Sequence, residues 1–70
     1  MFQLSRHLLR RMARRGISKK YVQFCLQNYH TDYPGEGNCW QYVTTLASGR
    51  LLKVVVDKVK NKLVTAVWLD

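Results

Sequence analysis

The chain has 70 residues, of which 47% are hydrophobic, 12 are lysine or arginine and four are aspartate or glutamate, so its formal net charge is +8. This length predicts one domain over residues 1–70 with a thin core, and it argues against a large enclosed cofactor site. The hydrophobic fraction excludes a disordered chain, and no apolar run approaches the roughly 20 residues of a membrane span, so we expect a cytoplasmic domain that does not enter a membrane.

The first predicted helix follows Ser5. Residues 1–4 alternate apolar and polar side chains, which is typical of a short edge strand, and the Ser5 hydroxyl can cap a helix N-terminus. Helical periodicity then continues to about Arg15, and Gly16 suits the left-handed position that ends a helix. The apolar side of this helix is formed by Leu8, Leu9 and Met12.

A second amphipathic helix is predicted from Lys19 to about Tyr29, with Ser18 as its N-cap. Phe24 lies off its apolar stripe, and we expect this ring to close an edge of the core. The stripe itself consists of Tyr21, Val22, Cys25, Leu26 and Tyr29.

The rest of the chain has the pattern of strands. Proline and glycine between residues 30 and 38 predict a loop, and β-branched and aromatic residues then alternate. The predicted strands are Cys39–Ala47, Arg50–Asp57 and Lys62–Leu69, with a hairpin turn at Ser48 and Gly49. The sequence therefore predicts an α+β fold in which two N-terminal helices pack on a three-stranded antiparallel sheet, with an optional N-terminal edge strand.

The polar side of the first helix is a candidate site. His7 and Arg11 are four residues apart, so their side chains are neighbours on one helix face. A histidine beside guanidinium groups is a plausible ribonuclease arrangement, in which the base removes a proton from a 2′-hydroxyl and the cations stabilise the charged phosphorane. We therefore take His7, Arg11 and Lys53 as catalytic candidates. The nucleic-acid-binding candidates are Arg10, Arg11, Arg14, Arg15 and Arg50.

Each of these residues also has a structural interpretation. His7 can hydrogen-bond a neighbouring loop, and Lys53 can be an ordinary exposed strand residue. Arg11 and Arg15 can pair with Asp57 or Asp32 and so fix the helices onto the sheet. The same choice holds for the large aromatic residues of the strands, which can be core side chains or base-stacking surfaces; these are Trp40, Tyr42 and Trp68.

The excess of positive charge favours a polyanionic partner. RNA or the ribosome is one class of partner, and the alternative is a non-enzymatic module whose basic helix binds an acidic protein or nucleic acid. Cys25 and Cys39 are too few for a disulfide scaffold, and they predict reduced thiols. The histidines and cysteines lack the short paired spacing of zinc motifs, so we expect no metal and no cofactor.

Two stretches carry a family resemblance. Residues 7–17 follow the pattern His-x-x-x-Arg-x-x-x-Arg-Gly-Ile, and residues 49–57 read Gly-Arg-Leu-Leu-Lys-Val-Val-Val-Asp. Both resemble the signature of a bacterial family of short domains of unknown function. That family is in turn similar to the RelE/ParE toxin superfamily, which has two N-terminal helices on an antiparallel sheet.

The resemblance implies functions as well as a fold. Some RelE/ParE members cleave messenger RNA on the ribosome, some act on gyrase, and others have no known activity. It implies a toxin-like domain, with an acidic antitoxin-like protein as partner and, if it is an enzyme, metal-independent ribonuclease activity. In the ribonuclease members the catalytic groups gather mainly on the sheet and a C-terminal segment. Because we expect that segment to be missing after Asp70, the remaining candidates are His7, Arg11, Arg15 and Lys53.

Overall fold

The structure, a computed structural model, describes residues 2–70. Two helices are followed by four strands, which confirms the α+β class and the two predicted helices. None of the helices in the described residues is long and apolar enough to span a membrane. The elements are α1 (Arg6–Arg14), α2 (Lys19–Asn28), β1 (Thr31–Pro34), β2 (Cys39–Thr45), β3 (Leu51–Asp57) and β4 (Lys62–Trp68).

The ends of the helices are set by local sequence, as predicted. The hydroxyl of Ser5 accepts a hydrogen bond of 3.1 Å from the Leu8 amide, and the hydroxyl of Ser18 accepts one of 3.2 Å from the Tyr21 amide in the first turn of α2. At the C-terminus of α1, Gly16 has φ +71°, which is a left-handed conformation. The Ile17 amide then donates to the Met12 carbonyl oxygen at 2.9 Å, so α1 ends in a Schellman motif.

The sheet has one strand more than predicted. Its order is β1-β2-β3-β4, and every neighbouring pair is antiparallel. The prediction of three strands was wrong because β1 lies inside the segment that was interpreted as a loop. Thr31 pairs with Val43, and Pro34 pairs with Trp40. A proline is compatible with this position because β1 is an edge strand, where one side of the backbone needs no ladder hydrogen bonds.

The optional N-terminal edge strand is reduced to a single bridge. Part of that prediction falls on Met1, which lies outside the described residues. Gln3 forms an isolated parallel bridge with Lys62, through a 2.9 Å hydrogen bond to the Asn61 carbonyl oxygen and another from the Leu63 amide. Gln3 therefore pairs with the beginning of β4 without belonging to a strand.

Both helices contribute to one core on one face of the sheet. Alternate residues of β3 enter this core, which places the intervening residues, including Lys53, on the opposite face. No helix is assigned to that opposite face within residues 2–70. The buried core consists of Leu8, Met12, Ile17, Val22, Cys25, Leu52, Val54, Val56, Leu63 and Ala66.

Candidate nucleic-acid interface

The outer side of α1 forms a shallow depression of about 300 Å³, which we call the basic depression. It is lined by His7, Arg10, Arg11 and Arg14, and all four residues are exposed. Leu8 and Met12 on the other side of α1 are buried in the core, so the helix cannot rotate without exposing them. The amphipathic pattern therefore holds one histidine and three arginines together on the surface.

The cations of the basic depression have no carboxylate partner among the described residues. Neither helix contains an aspartate or glutamate, and the four acidic residues all lie in the strand-forming half of the chain. The one side-chain ion pair within residues 2–70 joins Arg50 to Asp70 at 3.7 Å. Exposed guanidinium groups without an internal counterion are suited to binding an external anion.

Arg15 points elsewhere, although it follows Arg14 directly. Its Nη1 donates hydrogen bonds to the hydroxyl of Thr65 at 3.2 Å and to the Ala66 carbonyl oxygen at 3.0 Å. Arg15 therefore fixes α1 onto β4 and lies outside the residues that line the basic depression. The interpretation of Arg15 as a helix–sheet anchor is the one that these contacts favour.

The predicted aspartate partners of Arg11 and Arg15 were wrong. Asp57 accepts hydrogen bonds of 3.0 Å from two main-chain amides of the following turn, and Asp32 accepts one of 2.8 Å from the indole nitrogen of Trp40. Both carboxylates are therefore used locally, because short polar side chains readily bond to nearby backbone and neighbouring strands. The anchor of α1 is instead a main-chain carbonyl of β4.

Lys53 and Arg50 do not join His7 and Arg11. Lys53 is half-buried on the face of the sheet opposite the helices, where it pairs in register with Val43 of β2 and Val67 of β4. Arg50 lies over the ring of Trp68, with its guanidinium carbon 3.8 Å from the ring centroid. The sheet thus separates Lys53 from the basic depression, and Arg50 is held at the β2–β3 hairpin.

The large aromatic residues of the strands pack against the core. Trp40, Tyr42 and Trp68 are half-buried, and the indole of Trp68 donates a hydrogen bond to the Arg15 carbonyl oxygen. Two rings of α2 are exposed instead, with 40% of Tyr21 and 42% of Phe24 accessible to solvent. The expectations that Tyr21 faces the core and that Phe24 closes its edge were wrong. The sequence held a signal for this shared exposure. Tyr21 and Phe24 are three residues apart, which places both rings on one helix face, and they directly follow the polar residues Lys19 and Lys20.

The cysteines and His30 lie in separate surroundings. Cys25 and Cys39 are free thiols, and burial raises the pKa of Cys25 to about 11. The imidazole of His30 lies 2.9 Å from the hydroxyl of Thr31 and 3.0 Å from that of Thr45. Within residues 2–70, no group of three or more histidine, cysteine or acidic side chains is arranged to hold a metal ion.

The fold and its surface define a small α+β domain with an exposed basic helix face. The family described as "Domain of unknown function (DUF4258)" matches residues 4–68, and the chain belongs to this family. The comparisons with curated proteins and with solved structures gave no match. Membership confirms the predicted relationship to a family of unknown function.

Proposed function

We propose that this domain binds RNA through α1, with backbone phosphates held in the basic depression. The observation that supports the proposal is the grouping of His7, Arg10, Arg11 and Arg14 on one exposed helix face without a carboxylate partner in the described residues. Guanidinium groups bind phosphate oxygens through two parallel hydrogen bonds and remain charged at every physiological pH. The net charge of +8 adds long-range attraction to the same ligand.

The geometry of α1 suits several phosphate contacts along one strand of RNA. Arg10 and Arg14 are four residues apart, and so are His7 and Arg11, which gives two neighbouring rows of donors on the helix. The arginines at 11 and 14 also lie in the last turn of α1, where the helix dipole favours cations. An extended polyanion can therefore contact the depression without any change in the packing of the helix.

Ribonuclease activity remains a narrower hypothesis at the same site. Cleavage through a 2′-hydroxyl needs a base, a group that stabilises the phosphorane charge, and a proton donor for the departing 5′-oxygen. His7 and Arg11 can supply the first two, whereas Lys53 lies across the sheet from them. The toxin-like role and the RelE/ParE relationship predicted from the sequence belong with this hypothesis, because ribonuclease activity is what the resemblance implies for some members of that superfamily.

Binding is tested by fluorescence anisotropy with a short labelled RNA of mixed sequence, at low and moderate salt. The test variant carries Arg10→Gln, Arg11→Gln and Arg14→Gln. The control carries Lys58→Gln, Lys60→Gln and Lys62→Gln, which remove the same charge around the β3–β4 turn. We expect the α1 variant to bind at least about tenfold more weakly than the control. Both variants lose the same net charge, and therefore the same long-range attraction, but only the α1 variant also loses direct contacts with phosphates. Equal losses would contradict a binding site on α1.

Two further arms separate the alternatives. Polyglutamate, added as a competitor, reports on an acidic protein partner, and displacement of RNA at equal charge concentration would favour that partner class over RNA. The RNA is also checked for cleavage, with His7→Ala as the variant. The hypothesis of a His7-dependent ribonuclease expects cut RNA with the wild type and intact RNA with His7→Ala, whereas intact RNA in both would contradict it.

A further inference from the structure

A second surface feature is the groove between α2 and the β2–β3 hairpin, which we call the aromatic groove. Its volume is about 470 Å³, which is within the range of sites for small ligands. Tyr21 and Phe24 form its α2 side, and each exposes about two fifths of its surface, 40% and 42%. The complete lining is Lys20, Tyr21, Phe24, Leu46, Ala47 and Ser48.

The aromatic groove is connected to the C-terminus of α1. The ring of Tyr21 meets Trp68 edge to face, with centroids 6.0 Å apart and an interplanar angle of 66°. Trp68 in turn donates its indole hydrogen bond to the Arg15 carbonyl oxygen. Arg15 directly follows Arg14, which lines the basic depression. One short path of contacts thus joins the exposed rings to the exposed arginines.

The surroundings of the aromatic groove are cationic. Lys20 forms part of its lining, and the guanidinium carbon of Arg50 lies over the ring of Trp68, the partner of Tyr21, at 3.8 Å from the ring centroid. Arg50 also forms an ion pair with Asp70, with 3.7 Å between its Nε and the carboxylate oxygen. Exposed aromatic rings beside cations are the combination that proteins use for unpaired nucleobases, where the rings stack on the bases and the cations contact the backbone.

We propose that the aromatic groove binds unpaired bases of the same RNA strand whose phosphates lie in the basic depression, so that the domain selects single-stranded RNA. This inference rests on the proposed function of α1 and specifies its substrate class. Single-stranded RNA uses both surfaces, since its backbone is anionic and its bases are free to stack. The bases of a duplex are already paired and stacked, so a duplex would use the basic depression alone. An acidic amphipathic peptide is the alternative occupant of the groove, but no hydrophobic residue within residues 2–70 lines the basic depression.

The test compares three RNA probes of equal length by fluorescence anisotropy at one salt concentration. The first is a single strand, the second is the same strand paired in a duplex, and the third is a single strand with abasic nucleotides, which keeps the phosphates and lacks the bases. We expect the intact single strand to bind about tenfold more tightly than the abasic strand, because the stacking of one or two bases on aromatic rings increases affinity by about this factor. Equal affinities for the intact and abasic strands would overturn the inference.

Variants of the groove separate stacking from folding. Phe24→Leu removes an exposed ring that has no ring partner among the described residues, and Tyr21→Leu removes the ring beside Trp68. Tyr33→Leu, on exposed β1, removes a ring away from the groove and is the matched control. We expect Phe24→Leu and Tyr21→Leu to bring the single strand to the affinity of the abasic strand, while Tyr33→Leu keeps the difference. A preference for the intact strand that survives Phe24→Leu would overturn the assignment of the groove.

The outcomes distinguish this inference from the proposed function on which it depends. If no probe binds, RNA binding by α1 is wrong and the groove proposal falls with it. If all probes bind equally, and the α1 variant binds them more weakly than the lysine control, α1 binds phosphates and only the groove proposal is wrong. A third outcome is that an acidic amphipathic peptide binds the wild type, fails to bind Phe24→Leu and leaves the affinity for RNA unchanged. That outcome would show that the aromatic groove binds a protein partner, and it would overturn the inference.

Discussion

The guanidinium of Arg15 donates a 3.0 Å hydrogen bond to the carbonyl oxygen of Ala66, and so ties the C-terminus of α1 to edge strand β4. The contact is reciprocal, because Trp68, two residues further along β4, donates its indole hydrogen bond to the Arg15 carbonyl oxygen. Arg14, the preceding residue, lines the basic depression instead. Adjacent arginines therefore have separate roles, one in helix–sheet attachment and the other at the surface.

Arg15→Ala is expected to destabilise the fold. The variant loses two hydrogen bonds from Nη1, and since Arg15 is exposed we expect a loss of about 1 kcal/mol, which is the size of an ordinary hydrogen bond. In a domain of this size that corresponds to a melting temperature lower by about 4–8 °C, measured by circular dichroism. Arg14→Ala is the matched control, and its free energy of unfolding should lie within about 0.5 kcal/mol of that of the wild type. Equal losses in both variants would contradict the separation of roles.

Much of the fold is predictable because its signals are local. Serine caps, the glycine at the end of α1 and the apolar periods determine both helices, and alternation gives the three longer strands to within about two residues. The exception is β1, which has four residues and includes Pro34. Its pairing with β2 joins residues that lie between six (Pro34 and Trp40) and 12 (Thr31 and Val43) positions apart, whereas the local composition of this segment favours a turn.

The candidate site is only partly predictable, for a related reason. Helical periodicity places His7, Arg10, Arg11 and Arg14 together, because residues three or four positions apart lie on the same face of a helix. The direction of Arg15 is set by a carbonyl on β4, and the position of Lys53 by which face of the sheet the helices cover. Those facts arise from tertiary packing and leave no pattern in the neighbouring sequence.

The conformation of Gly16 provides a test of the turn between the helices. Its φ of +71° is left-handed, and a Cβ placed there would meet no atom within 4 Å, so a substitution changes backbone strain alone. Gly16→Ala should lower the free energy of unfolding by about 1–2 kcal/mol, measured by urea denaturation. Asparagine tolerates the left-handed region, so Gly16→Asn should be less destabilised than Gly16→Ala. The reverse order would show that the left-handed conformation is not what this position requires.

The salt dependence of RNA binding provides a count of the phosphate contacts. For single strands, the slope of log affinity against log salt changes by about 0.7 for each phosphate neutralised. Arg11→Gln and Arg14→Gln should each reduce the magnitude of the slope by about that amount. Arg15→Gln removes the same charge from a side chain that is bonded to β4, so its slope should match the wild type. A reduced slope with Arg15→Gln would place this residue in the interface as well.

The buried thiol of Cys25 should make the free energy of unfolding depend on pH in the alkaline range. Its thiol is fully buried and lies 3.5 Å from the Tyr42 carbonyl oxygen, and burial raises the pKa of this group from 9.0 to about 11. Between these two values the unfolded chain releases the Cys25 proton while the folded chain retains it, so deprotonation favours unfolding. The stabilising effect of this group is therefore complete below pH 9.0 and is lost as the pH rises towards about 11, at about 1.4 kcal/mol for each pH unit.

The measurement is the free energy of unfolding in urea at several pH values across that interval. Both proteins carry Cys39→Ser, which leaves one thiol in the test protein and none in the comparison protein with Cys25→Ala. The Cys25→Ala variant is expected to be less stable near neutral pH, because it loses buried side-chain volume. Its stability should fall less steeply above pH 9.0, so the two curves converge as the pH approaches 11. Parallel curves would mean that the folded and unfolded chains bind the Cys25 proton equally.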